Sequence, residues 1–213
     1  MAPQFPNLFS PIKIGPMTVK NRIYSSPHLP GYGMEGVIHY WVSKAKGGVG
    51  MIGTQLTPCH PRKEQDAFWR PGIKEFFKRA ADAVHEHGAK MIQQLANTGA
   101  QGGPGGWAPS AVLTFDGQIR LNCPHEMTRD EIKGFVEAFA HAAVVSKEAG
   151  MDGVSLHGAH GYLITEFLSP HSNRRKDEYG GSLENRLRFP TEVLAAIRAA
   201  VGDDYVVGMR VSA

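Results

Sequence analysis

The sequence has few cysteines, no long apolar run and little net charge. Cys59 and Cys123 are its only two cysteines. They stand far apart and no CxxC pair occurs, so neither a disulfide framework nor a zinc knuckle is available. No apolar stretch reaches the ~18 residues that a membrane-crossing helix needs. Met1 to Ser10 holds no basic stretch followed by an apolar core, so no secretory signal is expected. A formal charge of +3, scattered along the chain, is too small to suggest nucleic acid. Together these absences predict a cytoplasmic protein with no membrane and no nucleic-acid partner. Low-complexity segments are also missing, as is any repeat of about 20–50 residues.

What is present is the composition of a soluble globular domain. Of 213 residues, 42% are hydrophobic and 20% charged, and 25 glycines and 14 prolines supply the loops. Short β-branched runs alternate with amphipathic stretches. Arg22–Ser26, Val49–Thr54, Lys90–Leu95, Gly153–His157 and Tyr205–Val211 read as strands. Ile38–Lys46 reads as a short helix stopped by Gly47 and Gly48. Gly72–His87 carries Ile73, Phe76, Phe77, Ala80 and Val84 at a spacing of three and four, which marks one helical face, and Gly88 ends it. Thr128 and Glu131 form a capping box ahead of Ile132, Phe135, Val136, Phe139 and Ala143. Ser182–Val201 is a further amphipathic helix with Leu183, Leu187, Leu194, Ile197 and Val201 on one face. Pro190 falls inside it and predicts a kink or a split. Asn97–Asn122 is rich in Gly and Pro and reads as a long loop, a kind that more often carries function than not.

Strand–helix alternation with a unit of roughly 40 residues implies parallel pairing through βαβ units. A doubly wound sheet and a (β/α)8 barrel both fit. The first strand-to-helix junction, Ser26 to Gly33, lacks the GxGxxG of a dinucleotide-binding sheet, so the barrel is favoured. The expected fold class is therefore α/β, the N-terminal portion of a (β/α)8 TIM barrel. A complete barrel typically takes ~250 residues. With five strands of eight, the chain reads as one barrel domain over residues 1–213, truncated after the fifth strand and leaving that strand with an open edge.

In a parallel barrel the chemistry gathers at the C-terminal ends of the strands. Standing there are Pro27 and His28, Gly53 and Thr54, Gln93 and Gln94, the run His157-Gly-Ala-His160-Gly-Tyr162, and Arg210. His157 and His160 could jointly donate to a substrate oxygen, could ligate a metal, or could be two loop histidines capping a helix. No Asp or Glu stands at the other strand ends to complete a metal site. The Tyr162 phenol, protonated at neutral pH, suits a general acid, though a packed aromatic is the simpler reading. Arg210 and Gln94 lie inside apolar strands. Each needs either a ligand or an internal partner. Gly53 could admit a flat ligand or be a turn residue. Trp41, Trp69 and Trp107 follow no period and read as packing or loop residues. Arg174–Glu178 mixes charge signs and reads as a solvated surface.

These residues also resemble a known family. The run His157 to Leu163, Phe167-Leu-Ser-Pro170, Asn173-Arg174, Asp177 to Ser182 and Glu184-Asn-Arg186 closely resembles the Old Yellow Enzyme, or NADH:flavin oxidoreductase, family. Leu8-Phe-Ser-Pro11, Asn21-Arg22 and Gln94-Leu95 with Gly99 match it as well. Ser26-Pro27-His28 is most similar to the branch holding 2,4-dienoyl-CoA reductase and trimethylamine dehydrogenase. The sequence departs from the pattern at Asn97, where many relatives carry His, and at Leu29, where some place Cys or Thr near the flavin. Trimethylamine dehydrogenase has Tyr at the position of His157, which makes amine oxidation the less favoured activity.

The resemblance implies a (β/α)8 barrel with FMN at its C-terminal mouth and NADH or NADPH as reductant. Backbone near Pro27, His28 and Gly53 would touch the flavin, Gln94 would bond its pyrimidine edge, and Arg210 would sit near its N1/C2 region. His157 and His160 would bind and polarise a substrate carbonyl, while Tyr162 would protonate the carbon alpha to it. The implied partner is a small molecule with an activated C=C bond, an enone or enoyl compound. Oxidative demethylation of a small amine and an inactive fragment are the alternatives. An iron–sulfur cluster and FAD enter only with further domains in a longer parent chain, and a homo-oligomer stays open.

Overall fold

The computed structural model describes residues 4–103, 105–115 and 121–212. Residues 104 and 116–120 of the expected long loop lie outside the described residues.

In chain order the elements are β1 (Ile12–Ile14), β2 (Met17–Val19), β3 (Tyr24–Ser25), α1 (Met34–Lys46), β4 (Met51–Gly53), β5 (Thr57–Pro58), α2 (Ile73–His85), β6 (Lys90–Ala96), β7 (Trp107–Ala108), β8 (Thr114–Phe115), β9 (Leu121–Asn122), β10 (His125–Glu126), α3 (Arg129–Glu148), β11 (Gly153–Gly158), α4 (Leu163–Leu168), α5 (Leu183–Val201) and β12 (Val206–Val211). The main sheet runs β3-β4-β6-β11-β12, with β5 also on β6, and its pairings are parallel. Its strand order is the chain order. A doubly wound sheet would reverse direction at a switch point, so this is a wall of a (β/α)8 barrel, with five of its eight strands.

Two-residue alternation divides each strand between two cores. Ile52, Met91, Leu95, Val154 and Leu156 point outward into the large core they share with the helices. Successive helices α1, α2, α3 and α5 touch one another over that outer face. The inner face has a separate apolar cluster, in which Met17 and Val19 of the β1–β2 hairpin pack on Ile92, with Met51 and Val206 against them. The hairpin thus plugs the N-terminal end of the half-barrel. Apolar residues alternating on either side of Gly15-Pro16, with Gly15 at φ 55°, were the sequence signal for this unforeseen turn.

The five expected strands form, with shorter first and second members. α1 begins four residues before the expected start, because Gly33 starts it in an extended conformation and contributes no side-chain cap to read. The capping box on α3 is complete: Thr128 Oγ1 accepts the Glu131 N–H at 3.2 Å, and Glu131 Oε2 accepts the Thr128 N–H at 2.8 Å. Such a cap stabilises by about 1 kcal/mol.

Two expectations for α5 need correcting. Pro190 does not split it; the helix runs unbroken from Leu183 to Val201. A proline in a helix costs about 3 kcal/mol. Here the Phe189 ring packs tilted against Phe167 with centroids 4.3 Å apart, and Phe189, Pro190, Val193 and Ile197 are all buried. Burial of four apolar side chains, at roughly 1.5–3 kcal/mol for each large one, outweighs that cost. The buried row therefore follows Phe189, Val193, Ile197 and Val201, while Leu183 and Leu187 are 60% and 40% exposed.

The loop Arg174–Glu178 is a solvated surface only in part: Arg174, Lys176 and Glu178 are exposed, but Arg175 is not. Arg175 is only 8% exposed. Its Nη1 donates to the carbonyls of Pro109 and Met127 at 2.9 and 2.6 Å, while Nε and Nη2 form a fork on Asp177 at 3.0 and 2.7 Å. One guanidinium ties the long β6–α3 connection to the segment after α4. Among the described residues, no helix is long and apolar enough to cross a membrane.

Candidate active site

Register decides which polar side chains meet. Ser155 pairs with Gln94 on one side and Gly208 on the other, and His157 pairs with Arg210. Because side chains alternate along each strand, Gln94, Ser155, His157 and Arg210 share the inner, concave face. Gln94, Ser155 and Arg210 line a cavity of about 430 Å³ with Tyr24, Pro27 and Ile92. It reaches from Ile14 of the hairpin plug to Pro27 and Arg210 near the C-terminal ends of the strands. Among the described residues lining it there is no carboxylate.

At its rim three rings form an edge-to-face cluster. His157 lies 4.8 Å from His160 and 5.0 Å from Tyr162, and His160 lies 6.1 Å from Tyr162, centroid to centroid. The β11 strand ends at Gly158, and the chain turns sharply before α4. His160 takes φ 61° in that turn, the one non-glycine residue with positive φ among those described. Such a conformation costs roughly 1–2 kcal/mol, so the rest of the structure must hold it. Arg210 Nη2 lies 3.2 Å from His160 Nε2. A guanidinium has no acceptor, so Arg210 donates, and His160 carries its proton on Nδ1. That contact also occupies the lone pair a metal would use, which argues against the metal reading.

His157 is 2% exposed. Burial, with His160 and Arg210 alongside, lowers its pKa to about 4, so it is neutral at pH 7. Its Nδ1 is buried and finds no hydrogen-bond partner among the described residues. Burial raises the Tyr24 phenol above its usual value, with Arg210 opposing. The site is thus built from neutral donors and one fixed cation, which suits an oxygen that gains negative charge.

The other expected residues are placed as follows. Pro27 lines the cavity. A methyl group at Gly53 would fall 2.7 Å from Pro27 Cδ and onto the Tyr24 hydroxyl, so the glycine lets these two residues close on β4. His28 is exposed and is turned to α1, its Nδ1 sharing a 3.1 Å hydrogen bond with the Tyr40 hydroxyl. Gln94 donates its backbone N–H to Thr54 Oγ1 at 3.0 Å. Its side-chain Nε2 is buried with no partner among the described residues. Asn97 is consumed by backbone, donating to Cys59 O at 3.0 Å and accepting from Gly99 N at 2.9 Å.

Sequence reasoning missed two polar residues behind the turn. Gln101 Nε2 donates to the carbonyls of His160 and Gly161 at 2.8 and 3.0 Å. Glu166, 5% exposed, accepts the Ala100 N–H at 2.9 Å. Burial raises its pKa to about 8, against that one hydrogen bond, so its carboxyl is largely protonated at pH 7. Neither has a local signal, since each acts on a segment distant in sequence.

The FMN implied by the family resemblance fits these residues on two counts. The unpartnered Gln94 amide needs an acceptor, as a flavin pyrimidine carbonyl would supply. Arg210 offers a cation at the rim of the same cavity.

Comparison with known proteins gives a consistent result. The NADH:flavin oxidoreductase / NADH oxidase family model matches residues 7–213. NADH oxidase of Thermoanaerobacter brockii is 40% identical over 228 aligned positions, covering 98% of this chain and 34% of that protein. Histamine dehydrogenase from Rhizobium sp. 4-9 superposes with a TM-score of 0.89 at 36% identity, covering 97% of this chain and 34% of that one. A 2-naphthoyl-CoA reductase in complex with 2-naphthoyl-CoA superposes with a TM-score of 0.87 at 34% identity, covering 97% and 35%. The chain therefore spans about a third of the length of each of these three proteins.

Proposed function

The chain belongs to the NADH:flavin oxidoreductase / NADH oxidase family, and we propose that it provides the substrate end of an FMN site in an ene-reductase. The reaction is reduction of an activated C=C bond in an enone or enoyl compound, at the expense of NADH or NADPH. When bound, FMN supplies hydride exchange between the nicotinamide and a substrate carbon. The observation that carries the reading is the convergence of His157, His160, Tyr162 and Arg210 at one rim, with no carboxylate among the described residues of the adjoining cavity.

Each side chain has a role that its chemistry supports. Gln94 bonds the cofactor's pyrimidine edge through its unpartnered Nε2. Arg210 stabilises negative charge at that edge and orients His160. His157, held neutral at pH 7, and His160 donate to the substrate carbonyl oxygen and draw electron density from the double bond. Tyr162 gives its phenolic proton to the carbon alpha to that carbonyl.

Oxidation of a small methylated amine is the second reading, supported by the similarity to histamine dehydrogenase. A cationic amine would meet Arg210 and two imidazoles without a compensating carboxylate, so an electron-poor alkene is the better fit. The test adds FMN to the purified chain and removes the excess by gel filtration. It then compares NAD(P)H-driven turnover of cyclohexenone and crotonyl-CoA with oxidation of dimethylglycine and trimethylamine. Retained flavin with alkene turnover is expected. Amine turnover alone would replace this reading with the second, and failure to retain FMN would show that the chain needs further segments to form the site.

A further inference from the structure

His160 reaches its partners only because its backbone is held in the left-handed region, φ 61°, next to Gly161 at φ 72°. With positive φ at two successive residues, the His160 and Gly161 carbonyls come close enough to share one donor. Gln101 supplies it. One amide nitrogen, with two hydrogens, serves both carbonyls, to His160 O at 2.8 Å and Gly161 O at 3.0 Å. A Cβ on Gly161 would fall 2.8 Å from the same nitrogen, so the glycine is what lets the amide come this close.

Gln101 is itself fixed from behind. It lies in a single 3-10 turn, Gly99–Gly102, whose Ala100 N–H donates to the buried Glu166 carboxyl and whose Ala100 carbonyl accepts from Asn122 Nδ2 at 2.8 Å. Gln101 N–H also donates to Thr98 O at 3.1 Å. The β6–α3 connection thus presents one side-chain amide to the turn that carries His160.

We propose that Gln101 is a positioning residue that clamps the His160–Gly161 turn and thereby fixes the orientation and tautomer of His160. The proposal rests on the reading of His160 as a substrate-binding group for its functional meaning, but the clamp has a physical signature of its own. With the turn held, His160 Nε2 faces Arg210 as an acceptor, and the ring proton stays on Nδ1. Without the amide the turn keeps only its own Tyr162 N–H to Ala159 O bond, long at 3.3 Å; its carbonyls lose their shared donor, Nε2 no longer stays on the guanidinium, and the ring samples both neutral tautomers.

Gln101→Glu keeps the shape and replaces the donor with an acceptor that both carbonyls repel. Gln101→Met keeps the length and donates nothing. The experiment is long-range ¹H–¹⁵N NMR of the histidine-labelled full chain at neutral pH, with His160 assigned from a His160→Gln variant. The expected result is an unprotonated Nε2 and a protonated Nδ1 for native His160. In both Gln101 variants the two nitrogens move to averaged shifts, while the His157 signals keep their native values. Should either variant lose its dispersed spectrum, the other carries the test. A native-like His160 tautomer in a folded variant overturns the clamp, as does a native His160 that is already averaged. Because the readout is a tautomer, a chain that passes it yet reduces no alkene counts against the functional reading alone.

Discussion

Arg210 Nη2 donates to His160 Nε2 across 3.2 Å, linking the last strand of the sheet to the turn after β11. The two residues are far apart in sequence, and the parallel pairing of His157 with Arg210 brings their segments side by side. This one contact sets the histidine tautomer, blocks a metal from that nitrogen and leaves the guanidinium facing the cavity.

Tyr162→Phe should slow alkene reduction by about 10²–10⁴-fold, the usual contribution of a positioned acid. Reduction of the bound flavin by NAD(P)H should be unchanged, because that half-reaction needs no proton from the phenol. Stopped-flow measurement of the two half-reactions separates them. Equal alkene rates in variant and native protein would remove Tyr162 from the acid role.

Arg210→Ala should weaken FMN retention by roughly tenfold or more, the equivalent of about 1.5–3 kcal/mol for a hydrogen bond to a charged group. Titration followed by flavin fluorescence measures it. An unchanged dissociation constant and an unchanged flavin potential would place Arg210 outside the cofactor site.

Gly53→Ala should destabilise the fold by roughly 1–3 kcal/mol, as overpacking does. The new methyl group meets Pro27 Cδ at 2.7 Å and the Tyr24 hydroxyl, and the proline ring is fixed to the backbone and cannot swing away. Urea denaturation reads the loss. A native-like midpoint would mean that β3 and β4 can part without cost.

Stability should depend on pH through two groups of opposite sign. Glu166 has its pKa raised from 4.5 to about 8. Between those values the folded state holds a proton that the unfolded chain releases, so its contribution is full below about pH 4.5 and is lost as pH rises through 8. The loss is on the order of 5 kcal/mol. Glu166→Gln keeps an acceptor for Ala100 N–H and should flatten that alkaline slope. His157, lowered from 6.5 to about 4, acts at the other end: its contribution is full above pH 6.5 and lost as pH falls through 4. Thermal melts across pH 4–9 for native protein and Glu166→Gln test the Glu166 contribution, and parallel curves would show that Glu166 ionises freely.

Much of this architecture is legible in the residues. The 3.6-residue period of Gly72–His87, the Thr128–Glu131 box and the glycine stops depend on neighbours a few positions away, and the structure reproduces them. Where long-range packing competes with a local rule, the local rule fails. Pro190 is kept inside a helix by the burial of Phe189 and Val193, and Arg175 is drawn from an apparent surface loop by two carbonyls and Asp177. The β1–β2 hairpin went unread because its residues bury only when the sheet curves over them.

The sequence by itself determined the alternation of strands and helices, their boundaries to within a few residues, and the chemical inventory at the strand ends. Which of those side chains meet was decided by tertiary structure. Register sets Gln94, His157 and Arg210 on the same concave face and leaves His28 against Tyr40. It also recruits Gln101 and Glu166, which no motif marks. The reason is physical: periodicity and capping act over one or two turns of chain. Convergence on a cavity depends on hydrogen-bonded pairing between strands tens of residues apart, where a shift of one residue turns every side chain to the other face.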